Sequence, residues 1–144
     1  MMKVEELYKE TKKITEQIKH VLKMVDYDGS SELSEITVET ADDMFLLNEL
    51  RIIYNKLEAA VIREDYLGGK VCAEGFLRKN NGGRYELDDF ELTCGSTVEY
   101  FHEGDDDEPA MWKKGRIEHS TEKGYYIVGA DFTKLDDVRV RLRR

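Results

Sequence analysis

The first part of the chain places apolar residues at alternating steps of three and four. Because an α-helix has 3.6 residues per turn, this spacing puts such side chains on one stripe of a helix. The opposite face is rich in lysine, as expected for a surface exposed to water. The pattern predicts a helix over about residues 3–25. Its stripe consists of Val4, Leu7, Thr11, Ile14, Ile18, Val21 and Val25.

The same spacing returns after a polar, glycine-containing segment. The second stripe consists of Leu47, Leu50, Tyr54, Leu57 and Val61. This helix is expected to begin around residues 37–40, where threonine or aspartate can cap it and acidic residues suit the positive end of the helix dipole. Two stripes of this length joined by a short connection predict an antiparallel helical hairpin.

The second helix is apolar on more than one face. The residues that lie off its stripe are Phe45, Leu46, Ile52, Ile53 and Ala60. A two-helix hairpin cannot bury this much apolar surface by itself. Two partners for the extra face therefore stay open: the second half of the same chain, or a second copy in a homodimer formed through the helical hairpin.

From residue 70 onward the pattern changes to short β-prone runs separated by turns. Ten of the eleven glycines lie between Gly68 and Gly129, and the run Asn80-Asn81-Gly82-Gly83 is a strong hairpin signal. The last run alternates apolar residues with arginines, as a half-buried strand does. Helices are thus expected before Leu67 and strands after Lys70. We predict an α+β fold with two domains: a helical hairpin (1–66) and a small antiparallel β domain (67–144), either an SH3-like barrel or a compact sandwich.

The β half resembles a small β-rich family described as a domain of unknown function. The resemblance covers about residues 72–142. It rests on Gly82-Gly83-Arg84-Tyr85-Glu86-Leu87, Glu91-Leu92-Thr93-Cys94-Gly95-Ser96, Val98-Glu99, Trp112, Gly115-Arg116-Ile117-Glu118-His119, Tyr125-Tyr126, Val128-Gly129 and Val138-Arg139-Val140-Arg141. It implies that the protein is encoded by a phage, plasmid or conjugative element of Gram-positive bacteria, and it implies no activity. The acidic insertion at 103–108 departs from the family pattern.

Composition restricts the setting and the partners. A content of 40% hydrophobic and 37% charged residues is typical of a soluble globular protein, and the formal net charge is −9. Direct nucleic-acid binding is not expected, because affinity for phosphates depends on many Lys and Arg contacts. No signal sequence or membrane-spanning run is present, and the two cysteines are too few for a disulfide scaffold. The sequence predicts a cytoplasmic protein of a bacterial host that does not engage the membrane.

Three patterns suggest site chemistry, and each has a simpler explanation. An EF-hand register over residues 24–35 would place Asp26, Asp28, Gly29, Glu32 and Glu35 in the loop, but Met24 would occupy the first ligand position and supplies no oxygen. Cys94, with His102 and His119 downstream, lacks a spacing that orients a base toward the sulfur. Together with Cys72, these residues also lack the paired spacing of zinc ligands. We therefore expect no enzyme activity, no catalytic residue, no metal and no cofactor.

Aromatic and basic residues of the β half are candidates for contact with a partner. Tyr125 and Tyr126 are adjacent, so they face opposite sides of any shared strand and at least one lies outside the core. Such aromatics bind peptides in small β domains, or nucleic acid where basic residues surround them. A basic patch of Lys113, Lys114, Arg116, Arg139, Arg141, Arg143 and Arg144 is one reading of the cations. Pairing of these cations with the abundant carboxylates is the favoured one.

These observations predict a non-enzymatic interaction protein of a mobile genetic element. The specific hypothesis is an acidic, anti-CRISPR-like inhibitor of a host defence nuclease, so that the partner is a nucleic-acid-handling host enzyme. The alternative is a small nucleic-acid-binding module that uses the basic last strand. The expected partner-binding residues are Glu103, Asp105, Asp106, Asp107, Glu108, Trp112, Tyr125 and Tyr126.

Overall fold

The fold was derived from a computed structural model of the chain, which describes residues 1–27, 33, 35–130 and 135–144. The chain divides into two compact units, Met1–Gly68 and Gly69–Arg144. The first unit contains the two described α-helices, and the second contains the described strands together with a short 3-10 helix, Leu135–Asp137. Neither of the two helices is both long enough and apolar enough to cross a membrane, within the part of the chain that is described.

The described part of the first unit contains two helices, α1 (Val4–Met24) and α2 (Ala41–Gly68). Capping residues account for the start of α2. The Thr40 hydroxyl accepts a hydrogen bond from the Asp43 backbone N–H at 3.1 Å, and the Asp43 carboxylate accepts one from the Thr40 N–H at 3.0 Å. This reciprocal pair satisfies amides that have no partner within the helix, and it lowers the pKa of Asp43. The predicted start of the second helix is confirmed.

The two helices pack in an antiparallel pair. Near the start of α1, the Tyr8 hydroxyl donates to Glu64 Oε1 at 3.2 Å, close to the end of α2. Further along α1, the Thr15 hydroxyl donates to Glu64 Oε2 at 3.3 Å. Just after α1, the Tyr27 ring lies 5.7 Å from that of Tyr54, in the middle of α2. The predicted helical hairpin is therefore present.

The predicted stripe is correct for α2 and partly wrong for α1. On α2, Leu47 and Val61 are buried, and the other predicted positions between them are half-buried. On α1, Ile18, Val21 and Val25 are half-buried, but Thr11 is exposed. The predicted positions Val4, Leu7 and Ile14 are exposed as well.

The rotation of α1 explains this difference. Thr15 and Leu22, which lie beside the predicted stripe, are the buried residues of α1. Thr15 faces α2 because Glu64 is buried there, and a buried carboxylate needs hydrogen-bond donors. Tyr8 supplies another of them.

Among the described residues of the second unit, eight strands form two antiparallel sheets. The strands are β1 (Val71–Phe76), β2 (Arg78–Lys79), β3 (Tyr85–Leu87), β4 (Phe90–Leu92), β5 (Thr97–His102), β6 (Met111–Ser120), β7 (Gly124–Ile127) and β8 (Arg139–Arg143). One sheet has the order β1-β8-β5-β6-β7, and the other has the order β2-β3-β4. The α+β class is confirmed: the second α-helix ends at Gly68, two residues beyond the expected limit, and the described strands follow Lys70. The described strands leave both sheets open, and no closed barrel is formed among them.

The core of the second unit lies on one face of the five-stranded sheet. Val98 of β5, Ile117 of β6 and Val140 of β8 are fully buried there. Strand alternation sends Arg139, Arg141 and Arg143 to the opposite face, which we call the outer face. The predicted half-buried last strand with a basic outer face is confirmed.

Candidate partner-binding site

The acidic loop (residues 103–109) connects β5 to β6 and is a hydrogen-bonded turn. Asp105 Oδ1 accepts hydrogen bonds from the backbone N–H groups of Asp107 at 2.9 Å and Glu108 at 2.8 Å. The Asp105 N–H in turn donates to the Glu108 carbonyl at 2.9 Å. These backbone donors hold the pKa of Asp105 below its usual range. The carboxylate of Asp105 therefore shapes the loop.

Gly104 allows the loop to close. Its φ angle is +92°, in the region that favours glycine, and a Cβ there would lie 2.8 Å from the Ala110 backbone nitrogen. The loop conformation is thus specified by Gly104 at its start and by the Asp105 side chain within it.

The remaining carboxylates of the loop divide into one that is paired and three that face water. Glu108 forms an ion pair with Lys113, and this carboxylate raises the pKa of Lys113. Glu103, Asp106 and Asp107 are exposed, and none of them forms an ion pair with another described residue. These three carboxylates are the part of the loop that a partner can reach.

His102 lies beneath the loop at the end of β5. Its Nε2 is 3.6 Å from Asp105 Oδ2 and 3.6 Å from Glu108 Oε2, and it makes no hydrogen bond within the described residues. A cleft of about 660 Å³ opens beside it. The lining residues include Phe76, Tyr100, His102, Asp105, Lys113 and Arg139. The cleft therefore mixes aromatic groups with charges of both signs.

Trp112 is the second residue of β6, which follows the acidic loop, and it is half-buried on the outer face. Its ring meets that of Phe101 on β5 at 5.3 Å, edge to face. The guanidinium of Arg141 lies 4.3 Å from the Trp112 ring centre, and that of Arg139 lies 5.6 Å away. Both distances suit a cation–π contact. Trp112 and the acidic loop are thus at the same end of the β5–β6 hairpin.

A buried carboxylate on the outer face holds two of the last-strand arginines. Glu99 of β5 is 7% exposed. It accepts hydrogen bonds from Arg141 Nη2 at 2.6 Å and Arg141 Nε at 2.9 Å, and from Arg143 Nε at 2.8 Å. Arg139 bonds Glu74 of β1 at 2.8 Å. The interpretation that these arginines pair with carboxylates is confirmed.

The sequence analysis did not identify Glu99, because the strand register decides the contact. Glu99 lies opposite Arg141 in the β5–β8 pairing and opposite Lys114 in the β5–β6 pairing. The alternating arginines of β8 were the signal in the sequence for such a contact, because a row of cations on one sheet face is stabilised by a carboxylate on a neighbouring strand. They do not indicate which of the many carboxylates fills that place.

The two adjacent tyrosines lie away from the acidic loop. Tyr125 packs against the core, with its ring 6.2 Å from Tyr85 and 4.8 Å from His119. Tyr126 is half-buried, and Lys123 Nζ lies 5.3 Å from its ring centre. Tyr126 is opposite Glu118 in β6, six residues from Trp112, which is roughly 20 Å along a strand. The structure therefore brings Trp112 close to the loop but places the tyrosines at the other end of β6.

The other residues considered for chemistry do not come together. Cys72 and Cys94 are both exposed and free. No group of three or more potential metal ligands occurs among the residues that the structure describes. The segment considered for calcium lies mostly outside them, since residues 28–32 and 34 are not described.

Comparison with known proteins gave one match, which lies within the second unit. Residues 75–142 match the family model described as Domain of unknown function (DUF5348). The expected resemblance of the C-terminal region to a domain of unknown function is thereby confirmed. Comparisons with curated proteins and with solved structures gave no significant match.

Proposed function

We propose that this chain is a non-enzymatic interaction protein that uses its acidic loop to bind a cationic surface of a partner protein. The observation that carries this proposal is that the carboxylates of the loop have different roles. Asp105 fixes the turn, and Glu108 pairs with Lys113. The hydrogen-bonded turn leaves three carboxylates exposed, those of Glu103, Asp106 and Asp107. Preorganised charge of this kind binds an opposite charge without first ordering the loop.

The charge distribution of the second unit supports the same proposal. Arg139, Arg141 and Arg143 are engaged by Glu74 and Glu99, so these cations are not available to neutralise the acidic loop. The whole chain carries a formal net charge of −9. Its long-range field therefore attracts basic surfaces and repels nucleic acid.

A nucleic-acid-handling host enzyme is the partner that this surface suits. The resemblance of the second unit implies a mobile genetic element as the source, and such elements encode small proteins that disable host defences. Defence nucleases hold nucleic acid in cationic channels, because the phosphates must be neutralised there. An acidic loop on a stable β unit can compete for such a channel. Anti-CRISPR-like inhibition is the specific form of the proposal.

The alternative function is a nucleic-acid-binding module that uses the last strand. For this role the guanidinium groups of β8 would have to leave their carboxylates. Arg141 and Arg143 would have to leave Glu99, which is itself buried, and that exchange would cost free energy. The contacts therefore favour the protein partner, and the experiment below separates the two.

The experiment uses three tagged baits in an extract of the natural host. They are the wild type, a loop variant in which Glu103→Gln, Asp106→Asn and Asp107→Asn, and a control in which Asp88→Asn, Asp89→Asn and Glu122→Gln. The control removes the same number of exposed charges from other turns of the same unit. Each bait is purified with and without nuclease digestion, and the bound proteins are quantified by mass spectrometry.

We expect a host protein that wild type and control retain equally and that the loop variant loses by about tenfold. An exposed ion pair contributes about 0.2–1 kcal/mol, and three of them together account for about tenfold in affinity. Equal capture by all three baits would refute the role of the loop. Capture that disappears after nuclease digestion in every bait would favour the nucleic-acid module instead.

A further inference from the structure

The packing of α1 on α2 leaves apolar side chains exposed on both helices. On α1, Leu7 and Ile14 are each 57% exposed. On α2, Leu46 is 56% and Ile53 is 48% exposed. Large apolar groups at this exposure are common one at a time, but a continuous row of them marks an interaction surface. Whether they form such a row depends on which side of the helical pair each occupies.

On α1, the apolar and the basic residues lie on opposite sides of Thr15, which faces α2. Successive residues of an α-helix are rotated by about 100°, which gives each position an angle relative to Thr15. At about 60–120° to one side lie Leu7, Ile14, Ile18 and Val21. At about 40–80° to the other side lie Lys12, Lys19 and Lys23.

On α2, angles are taken relative to Val61, which is buried, and apolar residues lie on both sides of it: Met44 and Ile62 lie at about 100° on the side of Asp65. At about 60–120° to one side lie Leu46, Ile53, Ala60 and Leu67. Asp65 lies at about 40° to the other side. Leu46, Ile53, Ala60 and Leu67 are all exposed. They recur every seven residues, so they form one row along the helix.

The ion pair between Lys19 and Asp65 shows how the two sides of the pair correspond. Lys19 Nζ lies 2.6 Å from Asp65 Oδ1, so the basic side of α1 and the Asp65 side of α2 belong to the same face of the helical pair. The opposite sides of the two helices must then share the other face. We call this other face the apolar face. Its residues are Leu7, Ile14, Ile18, Val21, Leu46, Ile53, Ala60 and Leu67.

We propose that a second copy of this chain covers the apolar face, so that two helical pairs form a four-helix bundle around a twofold axis. Apolar residues make up the centre of the face. Asp42 and Glu49 of α2 lie at its outer part, at about 100° and 120° from Val61, and Glu10 and Lys56 lie just beyond it, so its rim carries both signs of charge. An apolar centre with a mixed polar rim is the usual composition of a protein interface. A twofold dimer needs a single self-complementary surface, and an elongated apolar strip provides one.

The size of the apolar face suits a stable dimer. The 21 residues of α1 extend about 31 Å at 1.5 Å per residue, and two adjacent helices are about 20 Å wide. Each copy can therefore bury about 600 Å², and a dimer about 1,200 Å² in total, which reaches the range of specific interfaces. A four-helix bundle is also the standard way in which two-helix layers acquire a shared core.

The test compares substitutions on and off the apolar face in the full-length chain. The face variant carries Ile14→Lys and Ile53→Lys. The control carries Ile62→Lys, because Ile62 is 60% exposed on α2 but lies about 100° to the other side of Val61. All three positions are exposed in the chain itself, and circular dichroism checks that the helices are retained. Sedimentation equilibrium from 1 to 200 µM measures the mass.

We expect the wild type and the control to have twice the chain mass of 16.8 kDa, and the face variant to be a monomer with a dissociation constant raised at least a hundredfold. A wild type that stays monomeric throughout would overturn the proposal and leave the second unit of the same chain as the cover of this face. A dimer that persists in the face variant would also overturn it. The outcome does not depend on the acidic loop, so it is independent of the proposed function.

Discussion

Replacement of Glu99 by alanine is expected to destabilise the second unit by about 2–3 kcal/mol. The substitution removes a buried acceptor that binds two guanidinium groups at 2.6–2.9 Å. Loss of one member of a fully buried ion pair costs about 3–5 kcal/mol. Arg141 and Arg143 keep side-chain exposures of 21% and 18%, so both can recover part of their hydration. The cost should therefore be below that range.

The matched control is Glu91→Ala, which removes an acceptor that is exposed. Glu91 pairs with Arg84 at 2.8 Å, both side chains are about half exposed, and such pairs contribute about 0–1 kcal/mol. Thermal and urea unfolding of both variants should show a clearly larger loss for Glu99→Ala. For a unit of this size, 1 kcal/mol corresponds to about 4–8 °C in Tm. Equal losses in the two variants would refute the argument that burial makes Glu99 a structural acceptor.

Three further predictions concern single positions. Gly115→Ala should cost about 1–3 kcal/mol in chemical unfolding, because its Cβ would lie 2.4 Å from Ile127 Cγ2 in the core; wild-type stability would contradict this packing. Thr40→Ala should lower the free energy of unfolding by about 1 kcal/mol and reduce helicity at the start of α2, because the Asp43 amide loses its acceptor; an unchanged unfolding curve would show that the cap is dispensable. Because the pKa of Asp105 is lower in the folded chain than in the unfolded one, its contribution to stability is complete above about pH 5 and is lost as the pH falls through the folded value. Wild type should therefore lose more Tm than Asp105→Asn between pH 6 and pH 2, and parallel losses would contradict that sign.

Local sequence signals predicted the helix ends and the last strand well. Thr40 and Asp43 specify the start of α2 through bonds between neighbouring residues, and Val140 and Leu142 face the core because strand alternation requires it. These features depend on residues a few positions apart. They are therefore readable without knowledge of the partners of each element.

Features that depend on distant residues were not predictable. The apolar stripe of α1 indicates a helix, but its rotation depends on Glu64, nearly fifty residues further along the chain. The place of Glu99 beneath Arg141 and Arg143 depends on strand register, which the sequence does not reveal. The acidic loop was predicted as a candidate from its composition. The role of Asp105 in shaping it required the coordinates of the backbone amides.

The most direct test of the proposed function measures the dissociation constant of the captured host protein as a function of salt. Wild type and the control (Asp88→Asn, Asp89→Asn, Glu122→Gln) should weaken steeply and in parallel as salt rises, because exposed charges are screened beyond about 10 Å at 0.1 M. The loop variant (Glu103→Gln, Asp106→Asn, Asp107→Asn) should bind about tenfold more weakly at low salt and respond less to added salt. Three superimposable curves would contradict the proposal that the acidic loop binds the partner.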